Sequence, residues 1–315
     1  MSAREAAATE MTSAPSAAAP PVPAASLLLV GILALVWGCN WPVLKLGVTE
    51  LAPLTFRAAT LPFAGLGLLM LSKLSGASVR IPRALWLRVA SLALVNIAAW
   101  NALVLFGVQQ MPAGRASILA FTLPIWSVLF SLWLLHEPLS GRKLAGLVLG
   151  MAGMAILIGD DIVHVRRAPV GALMIIGGAI AWGLGTVLLR RWTPALPPNT
   201  LTGWMLLIGW IPLAVAAPFF DPHPLASLAT MSGTAWFAVI YNIFFSGTLA
   251  HWAWYRMART LPVAVSSLSS LPVPVVGVLS GMLFLNERPG PNEFVALALV
   301  LASVAAVMFP ERRRR

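Results

Sequence analysis

Two stretches of the chain share one pattern: MPAGRASILAFTLPIWSVLFSLWLLHE at residues 111–137 and LPVAVSSLSSLPVPVVGVLSGMLFLNE at residues 261–287. Each has a proline at its second position and another near its middle, and each ends in an apolar run that a glutamate closes. Three pairs of residues are separated by the same 150 positions: Pro112 and Pro262, Pro124 and Pro274, Glu137 and Glu287. Because three landmarks keep one offset, chance similarity between apolar segments is a poor explanation, and the sequence predicts an internal repeat.

The sequence around these stretches is too apolar for a soluble domain. Of its 315 residues, 59% are hydrophobic and only 10% are charged, and the mean hydropathy is +0.87. A soluble domain of this length needs far more charge to cover its surface. A bilayer core requires about 20 apolar residues in a helix. Ten segments, which we number spans 1 to 10, meet this requirement: 26–46, 52–71, 88–109, 114–135, 144–159, 170–190, 200–220, 235–256, 264–285 and 292–309.

The ten spans divide into two related halves of five. Trp37-Gly38 in span 1 and Trp182-Gly183 in span 6 form a second echo of the repeat. Because five is an odd number, the second half must enter the membrane from the opposite side, which makes an inverted repeat. We therefore predict an all-α membrane protein with ten transmembrane helices, arranged as two inverted five-helix repeats around a central cavity. The predicted segments are a disordered tail at 1–25, a first repeat at 26–159, a linker loop at 160–169, a second repeat at 170–309 and a basic tail at 310–315.

The basic residues predict the orientation of the chain. If the N-terminus is cytoplasmic, 15 of the 21 Lys and Arg residues fall on the cytoplasmic side and five on the opposite side, with Arg57 inside span 2. Cytoplasmic loops carry such an excess, so both termini are predicted to be cytoplasmic. The net charge of +11 comes from these short loops, and it does not indicate a nucleic-acid partner.

These features resemble the drug/metabolite transporter superfamily, EamA type. The resemblance rests on the two five-helix halves, on Arg57 within the sequence Leu-Thr-Phe-Arg-Ala early in span 2, and on the glutamates that close spans 4 and 9. It covers residues 26–309. It implies a bacterial inner-membrane permease whose central cavity is lined by spans 1, 3, 4, 6, 8 and 9, with spans 5 and 10 at the periphery. Within the family we favour the YddG-like branch that exports neutral and aromatic amino acids, with other small solutes such as drugs or nucleosides as the alternative.

Polar residues inside the spans are the candidates for binding a solute. Polar groups in a bilayer are costly, so they tend to face a cavity or a partner helix. We expect amide groups to hydrogen-bond the polar end of a solute and tryptophan rings to pack against its apolar body. The alternative is that these groups bond across helix interfaces and that the rings lie in interfacial belts. The predicted substrate-binding residues are Trp37, Asn40, Trp41, Asn96, Trp100, Asn101, Trp182, Tyr241, Asn242 and His251.

Prolines and charges in the spans have predicted roles of their own. Proline removes a backbone hydrogen bond and permits bending, so hinges are predicted at prolines of spans 4 and 9, with static kinks as the alternative. We expect Lys45 to extend from the end of span 1 into water. Arg57 is expected to bond carbonyls of neighbouring helices, and the two closing glutamates to tie loops to neighbouring helices. The predicted hinge residues are Pro124, Pro272 and Pro274, and the predicted structural residues are Arg57, Glu137 and Glu287.

Several other functions lack their sequence signatures. There is no glycine-rich phosphate loop followed by Lys and Ser or Thr, so ATP is not expected to drive transport directly. No Asp or Glu lies in the middle of a span, and only His251 could titrate there near neutrality, which favours gradient-driven efflux over proton antiport. Asp160-Asp161 is a lone acidic pair, so an intramembrane lipid-modifying enzyme is a weak alternative. A retinal receptor would need a lysine in a late span, and spans 6–10 contain none.

The expected partners are therefore few. We predict a small-molecule substrate and membrane lipid as the partners, a monomer as the favoured state, and no cofactor, metal ion or nucleic acid.

Overall fold

The computed structural model describes residues 24–164, 169–192, 194–254 and 271–308, and over these ranges every regular element is helical. Nine helices in these ranges are long and apolar enough to cross a bilayer, and a shorter apolar helix occupies the position of span 9. Nearly all of the predicted N-terminal tail, the basic C-terminal tail and the first part of predicted span 9 lie outside the described residues. The prediction of an all-α, ten-span membrane fold is confirmed.

The ends of the helices follow local sequence signals. Proline occupies the first turn of several helices, where its missing amide proton costs no hydrogen bond. The helical bounds of spans 1 to 10 are Ala24–Glu50, Pro53–Leu74, Arg83–Gln110, Ala113–Leu134, Gly141–His164, Val170–Trp192, Pro198–Phe220, Gly233–Trp254, Pro272–Leu285 and Pro291–Met308.

Helix packing repeats between the two halves. Spans 2 and 7 pack against each other, as do spans 4 and 9 and spans 5 and 10. Span 1 packs on spans 8 and 9 as span 6 packs on spans 3 and 4, and span 3 packs on span 7 as span 8 packs on span 2. Exchanging the first five spans for the last five leaves this pattern unchanged. The fold therefore consists of the two inverted five-helix repeats that the sequence predicts.

Glycine contacts show how closely the repeat is kept. A β-carbon added to Gly38 of span 1 would lie 2.4 Å from Cβ of Val276 in span 9. A β-carbon added to Gly183 of span 6 would lie 2.8 Å from Cβ of Trp126 in span 4. These two close crossings are equivalent under the repeat, and each requires glycine because the neighbouring backbone or side chain fills the space that a side chain would need.

The turns that close spans 4 and 9 also share one conformation. His136 and Asn286 both adopt φ of 54°, in the left-handed region where these two residue types are enriched. The amide of Glu137 then donates to the carbonyl of Ser131 at 3.3 Å, and the amide of Glu287 donates to the carbonyl of Gly281 at 3.2 Å. The two glutamates therefore leave equivalent turns in equivalent directions.

Spans 3 and 8 are each widened by a π-helical stretch, Ala93–Ala99 and Tyr241–Leu249. Hydrogen bonds of the i→i+5 type are rare and occur frequently at functional sites. Hydropathy does not predict these stretches, because it does not distinguish the pitch of a π-helix from that of an α-helix.

Two local features differ from the predictions. The helix Gly141–His164 continues through Asp160 and Asp161, where the sequence predicts that a loop begins. Span 4 consists of two helices, Ala113–Ala120 and Leu123–Leu134, which are separated by a turn at Phe121 and Thr122. Within this helix, Asp160 forms an ion pair with a buried arginine of span 4, which is described below.

Candidate substrate-binding site

The first half-site, which we define as Asn96, Trp100 and Trp182, lies between spans 3 and 6. The rings of Trp100 and Trp182 meet edge to face, with centroids 5.0 Å apart. Asn96 lies in the π-helical stretch of span 3 and is only 6% exposed, yet its Oδ1 has no hydrogen-bond partner among the described residues. This oxygen lies against Gly185, where an added β-carbon would be 1.4 Å away. The half-site thus offers a free acceptor beside two indole rings.

The second half-site, which we define as Trp37, Tyr241, Ser246 and His251, lies between spans 1 and 8. Trp37 and His251 meet edge to face with ring centroids 5.6 Å apart, as Trp100 and Trp182 do in the first half-site. The carbonyl of Ser246 accepts from Nε1 of Trp37 at 3.4 Å and faces Nδ1 of His251 at 3.1 Å. A ring nitrogen that faces a carbonyl must carry the proton, which leaves Nε2 of a neutral His251 as an acceptor. The hydroxyl of Tyr241 donates to the carbonyl of Val36 at 2.7 Å.

Asn242 does not join the second half-site, because it holds Arg57. Arg57 is 6% exposed and Asn242 is 4% exposed, and Nη1 of Arg57 donates to Oδ1 of Asn242 at 2.9 Å. The amide nitrogen of Asn242 donates to the carbonyl of Ala238 at 3.0 Å. Arg57 was expected to bond carbonyls of neighbouring helices, and its described acceptor is the side-chain amide carbonyl of Asn242 in span 8. Nε of Arg57 has no partner among the described residues.

The remaining predicted binding residues divide between packing and free polar groups. Trp41 is buried in the main apolar cluster, where Gly277 of span 9 approaches its ring. Asn101 is also buried, and its amide donates to the carbonyl of Ile97 one turn earlier, at 2.7 Å. Asn40 is half-buried, and its Oδ1 lacks a partner among the described residues. Of these three, Asn40 is the one whose described environment leaves a group for a ligand.

Trp126 is a residue that the sequence reasoning missed. It lies in span 4 beside Gly183, the neighbour of Trp182, and its Nε1 is buried without a partner among the described residues. The signal was present in the opening comparison, because Trp126 takes the place that Val276 holds in the second repeat. The two halves therefore differ at this position: Trp126 has a large ring with an N–H donor, and Val276 has a small apolar side chain.

The predicted hinge prolines lie at helix breaks or starts. Pro124 is buried in the first turn of Leu123–Leu134, directly after the turn that divides span 4. Pro272 begins the helix Pro272–Leu285, and Pro274 is buried in its first turn. The carbonyl of Pro274 faces the hydroxyl of Ser117 at 3.5 Å. The hinge role stays a prediction.

At one end of the bundle, which we call the Glu287 end, the charged side chains of Glu287 and Lys45 bind the turn between spans 3 and 4. Glu287 accepts from the amides of Ala113 and Gly114 at 2.5 and 2.9 Å. Nζ of Lys45 donates to three carbonyls at the end of span 3. The expectation that Lys45 extends into water is therefore wrong, because the carbonyls that end span 3 lie within hydrogen-bond distance. Those three carbonyls belong to Val108, Gln109 and Met111, at 2.9, 2.9 and 3.0 Å.

A buried ion-pair network adds spans 5 and 10 to the same end. Nη1 of Arg115 lies 2.9 Å from Asp160 and 3.0 Å from Glu293, and its other terminal nitrogen donates to the carbonyl of Leu157. Asn292 donates to the second oxygen of Asp160 at 2.9 Å. Asp160 therefore joins a structural network, and the described residues contain no group of three or more His, Cys, Asp or Glu side chains that could hold a metal ion.

At the opposite end, the Glu137 end, the charges are more exposed. Glu137 accepts from Arg190 of span 6 at 2.6 Å and from Lys143 of span 5 at 3.2 Å. Burial raises the pKa of the Glu137 carboxyl, but the hydrogen bond from Lys143 and the contact with Arg190 together lower it by more. The pKa of Glu137 therefore lies below its ordinary value. Under the predicted orientation, this end faces the cytoplasm.

Known proteins share this architecture over nearly its whole length. The sequence profile of the EamA-like transporter family matches residues 24–159 and 169–309. The uncharacterized transporter YoaV of Bacillus subtilis (strain 168) is 22% identical over 295 residues, which cover 91% of this chain and 99% of that protein. One solved crystal structure is 21% identical in sequence and has a TM-score of 0.63. The alignment covers 91% of this chain and 98% of the chain in that structure, which shows a shared fold.

Two relatives from Escherichia coli (strain K12) have similar coverage. A probable amino-acid metabolite efflux pump is 27% identical over 303 residues, which cover 90% of this chain and 96% of that protein. The uncharacterized inner membrane transporter YedA is 28% identical over 288 residues, which cover 89% of this chain and 91% of that protein. With the family profile matching both halves, the chain belongs to the EamA-like transporter family and is a multi-pass membrane transporter.

Proposed function

We propose that this protein exports small amphipathic metabolites, with neutral and aromatic amino acids as the first candidates, by alternating access between its two repeats. The observation that carries the proposal is a set of buried polar atoms without partners beside indole rings. Oδ1 of Asn40 and Oδ1 of Asn96 are acceptors, and Nε1 of Trp126 is a donor. A zwitterion supplies what they lack, because its ammonium donates and its carboxylate accepts.

The edge-to-face pair of Trp100 and Trp182 supports an apolar or aromatic side chain on the solute. Indole rings bury large apolar areas and favour contact with other rings. The relative named as a probable amino-acid metabolite efflux pump gives independent support for this substrate class. We further propose a bacterial inner-membrane location with both termini cytoplasmic, a monomer, and two functional repeats at 26–159 and 170–309.

The proposal is tested by flux of a labelled amino-acid panel in proteoliposomes without an imposed ion gradient. We expect saturable flux of a few neutral or aromatic amino acids, reduced at least about tenfold by Asn96→Ala or Trp100→Ala, because each removes a direct contact to the solute. Trp86→Ala is the matched control, since it removes a ring from the edge-to-face pair Trp86–Trp204, which has a similar 5.5 Å centroid distance but lies away from the half-sites. No flux of any amino acid, with or without a proton gradient, would exclude this substrate class.

A further inference from the structure

Four cations lie close together in the sequence at the Glu137 end, and we call them the basic cluster: Lys73, Arg80, Arg83 and Arg88. Lys73 is in the last turn of span 2, Arg83 begins span 3, and Arg80 lies in the loop between these two spans. All four residues are exposed, and their side chains form no hydrogen bond or ion pair with the described part of the chain. The basic cluster is thus a surface whose charges the described residues leave unpaired.

The acidic residues of the described chain are placed where they do not neutralise the basic cluster. No Asp or Glu occurs in the sequence between Glu50 and Glu137. Of the described acidic residues, Glu137 alone belongs to the same end of the bundle, and it already accepts from Lys143 and Arg190. Arg191, a further cation at this end, donates to a backbone carbonyl of span 4 at 2.7 Å. The cations near Glu137 therefore have partners within the protein, in contrast to the basic cluster.

The loop that joins spans 2 and 3 has a well-defined conformation. Span 2 ends in a Schellman motif, in which Gly76 adopts φ of 75°. The amide of Gly76 donates to the carbonyl of Lys73, and the amide of Ala77 donates to the carbonyl of Ser72, both at 3.0 Å. Ile81 is buried against the apolar core that spans 3 and 7 share. The loop is therefore part of the packed structure.

Span 7 holds the same loop from its own side. The hydroxyl of Thr200 donates to the carbonyl of Ser78 at 2.8 Å, and Nε1 of Trp204 donates to the carbonyl of Val79 at 2.7 Å. The ring of Trp204 also meets the ring of Trp86 in span 3, with centroids 5.5 Å apart. Because these contacts already order the backbone, an anion that binds the cluster needs to order only the cationic side chains.

The surface of span 3 changes from charged to apolar along the helix. Arg83, Leu87 and Leu94 are spaced by four and seven residues, so they lie on one side of the helix. Leu87 is 80% exposed and Leu94 is 50% exposed. Trp86, which is 40% exposed, adds a ring of the kind that is enriched at membrane interfaces. From the end of the helix inward, the order is cation, indole ring and aliphatic side chains.

Span 2 ends in the same order. Phe63, Leu66 and Met70 are exposed and are spaced by three and four residues, and Lys73 follows three residues after Met70. These spacings place the apolar side chains on one side of the helix, with the cation at its end. Both helices that enter the loop thus present an apolar face next to an unpaired cation.

We propose that the basic cluster binds the headgroup of an anionic phospholipid, whose acyl chains lie on the exposed apolar faces of spans 2 and 3. The phosphate is the complementary group, because guanidinium groups form paired hydrogen bonds with its oxygens and basic residues at a membrane surface attract anionic lipids. A soluble acidic partner would match the charge but would leave Leu87 and Leu94 without a role.

The site belongs to one repeat only. The related connection between spans 7 and 8, residues 221–232, contains no lysine or arginine. Binding of the lipid does not depend on which solute the protein carries, so this inference goes beyond the proposed function, and the failure of either one leaves the other in place.

A fluorescent label beside the cluster measures the selectivity for lipid. Bimane is attached at Leu87→Cys in the full chain with Cys39→Ser, and the protein is reconstituted in mixtures of phosphatidylglycerol and phosphatidylcholine. One lipid at a time carries a nitroxide on its acyl chain, so quenching reports which lipid lies next to the label. We expect phosphatidylglycerol to be preferred by about fivefold or more, the contribution of one arginine near a membrane surface.

The triple variant Arg80→Gln, Arg83→Gln and Arg88→Gln should reduce this preference to about one, because it removes the cations that face the headgroup. The charge-matched control is Lys143→Gln, Arg190→Gln and Arg191→Gln, which removes the same charge from the same end but should keep the preference. A second label at Phe219→Cys, an 83% exposed position near the Glu287 end, should show no preference in any of these proteins.

An equal affinity for the two lipids at Leu87 in the protein with all its arginines would overturn the proposal. Equal losses in the two triple variants would also overturn it, because the overall charge of this end would then select the lipid. Loss of the preference on addition of soluble glycerol phosphate would assign the cluster to a soluble anion instead. If the first triple variant does not elute as a single folded species, Arg83→Gln replaces it; a fall of about fivefold is expected, and its absence counts against the site.

Discussion

On the span 3 side of the molecule, the π-helical stretch Ala93–Ala99 leaves Oδ1 of Asn96 without a partner beside two indole rings. On the span 8 side, the related stretch Tyr241–Leu249 has its asparagine bound to Arg57 and the carbonyl of Ser246 bound to Trp37 and His251. The backbones are alike, but of these two stretches only the first contains an asparagine whose Oδ1 has no partner among the described residues. The span 8 side is thus anchored to span 2, and the span 3 side keeps the free acceptor on which the proposed solute site rests.

The asparagine of span 8 is bound because a charge reaches it. Under the 150-residue offset, Asn242 is the counterpart of Leu92, and Asn96 is the counterpart of Ser246. Arg57 of span 2 donates to Asn242, whereas span 7, the partner of span 2 in the repeat, contains no lysine or arginine between Pro198 and Phe220. Each of the two amides is therefore a feature of one repeat only.

The strongest way to break the comparison is to remove each asparagine. Asn242→Leu leaves the buried guanidinium of Arg57 without its acceptor, so we expect the free energy of unfolding to fall by about 3 kcal/mol or more. Asn96→Leu removes an amide whose oxygen is already unpartnered, so its free energy of unfolding should change by less than about 1 kcal/mol. Unfolding in mixed micelles measures both, and equal losses would mean that the two sides do not differ.

A smaller effect is expected from added methyl groups. An alanine at Gly185 would place its β-carbon 1.4 Å from Oδ1 of Asn96, and an alanine at Gly247 would place it 2.5 Å from the backbone oxygen of Asn242. Each should cost about 1–3 kcal/mol of unfolding free energy through overpacking.

The two glycine variants should differ in their rescue. Asn96→Ala should restore the stability of Gly185→Ala, because the obstacle is a side chain. Asn242→Ala should not restore Gly247→Ala, because the obstacle is a backbone carbonyl. A double-mutant cycle on each pair measures this, and rescue of both pairs or of neither would contradict the geometry.

The smallest expected effect is a loss of stability at low pH, and it concerns Asp221 on the anchored side only. Asp221 lies directly after the end of span 7. Burial raises the pKa of its carboxyl, but hydrogen bonds from Thr55, from the amide of His223 and from Ser227 lower the pKa by more than burial raises it. The pKa of Asp221 therefore lies below its ordinary value. A lowered folded-state pKa gives stability that is present above the ordinary pKa of about 4 and is lost as the pH falls through the folded value. The midpoint temperature of thermal unfolding should therefore fall as the pH is lowered into the acidic range. The loss should be smaller in Asp221→Asn, and an equal acid shift in both proteins would exclude this role.

The fold was predictable because hydropathy and the repeat are properties of the sequence itself. Ten apolar segments fix the number of spans, and the 150-residue offset between Glu137 and Glu287 fixes their relation. The free and bound states of the amides were not predictable. Asn242 is bound because Arg57, which is 185 residues away in the chain, donates to it. The pattern of a single sequence does not show which distant residues are in contact, and it therefore predicted the same role for both asparagines.

The prediction for Lys45 failed for a related reason. A lysine near the end of an apolar span extends to water when no acceptor is close. Here the end of span 3 brings three carbonyls to within 3.0 Å of its Nζ. The sequence places Lys45 at the correct depth, but only the packing of span 1 against span 3 reveals the acceptors.

The bond between Arg57 and Asn242 also has a consequence for how the protein is made. The ribosome adds about 5–20 residues per second, so Arg57 leaves it roughly 10–40 s before Asn242, 185 residues later, is synthesised. Arg115 similarly precedes Glu293, one of its carboxylate partners, by 178 residues. During that interval the guanidinium of Arg57 lacks this partner, and we expect its flexible side chain to extend towards the lipid headgroups. The final position of span 2 is then expected only after span 8 has entered the membrane.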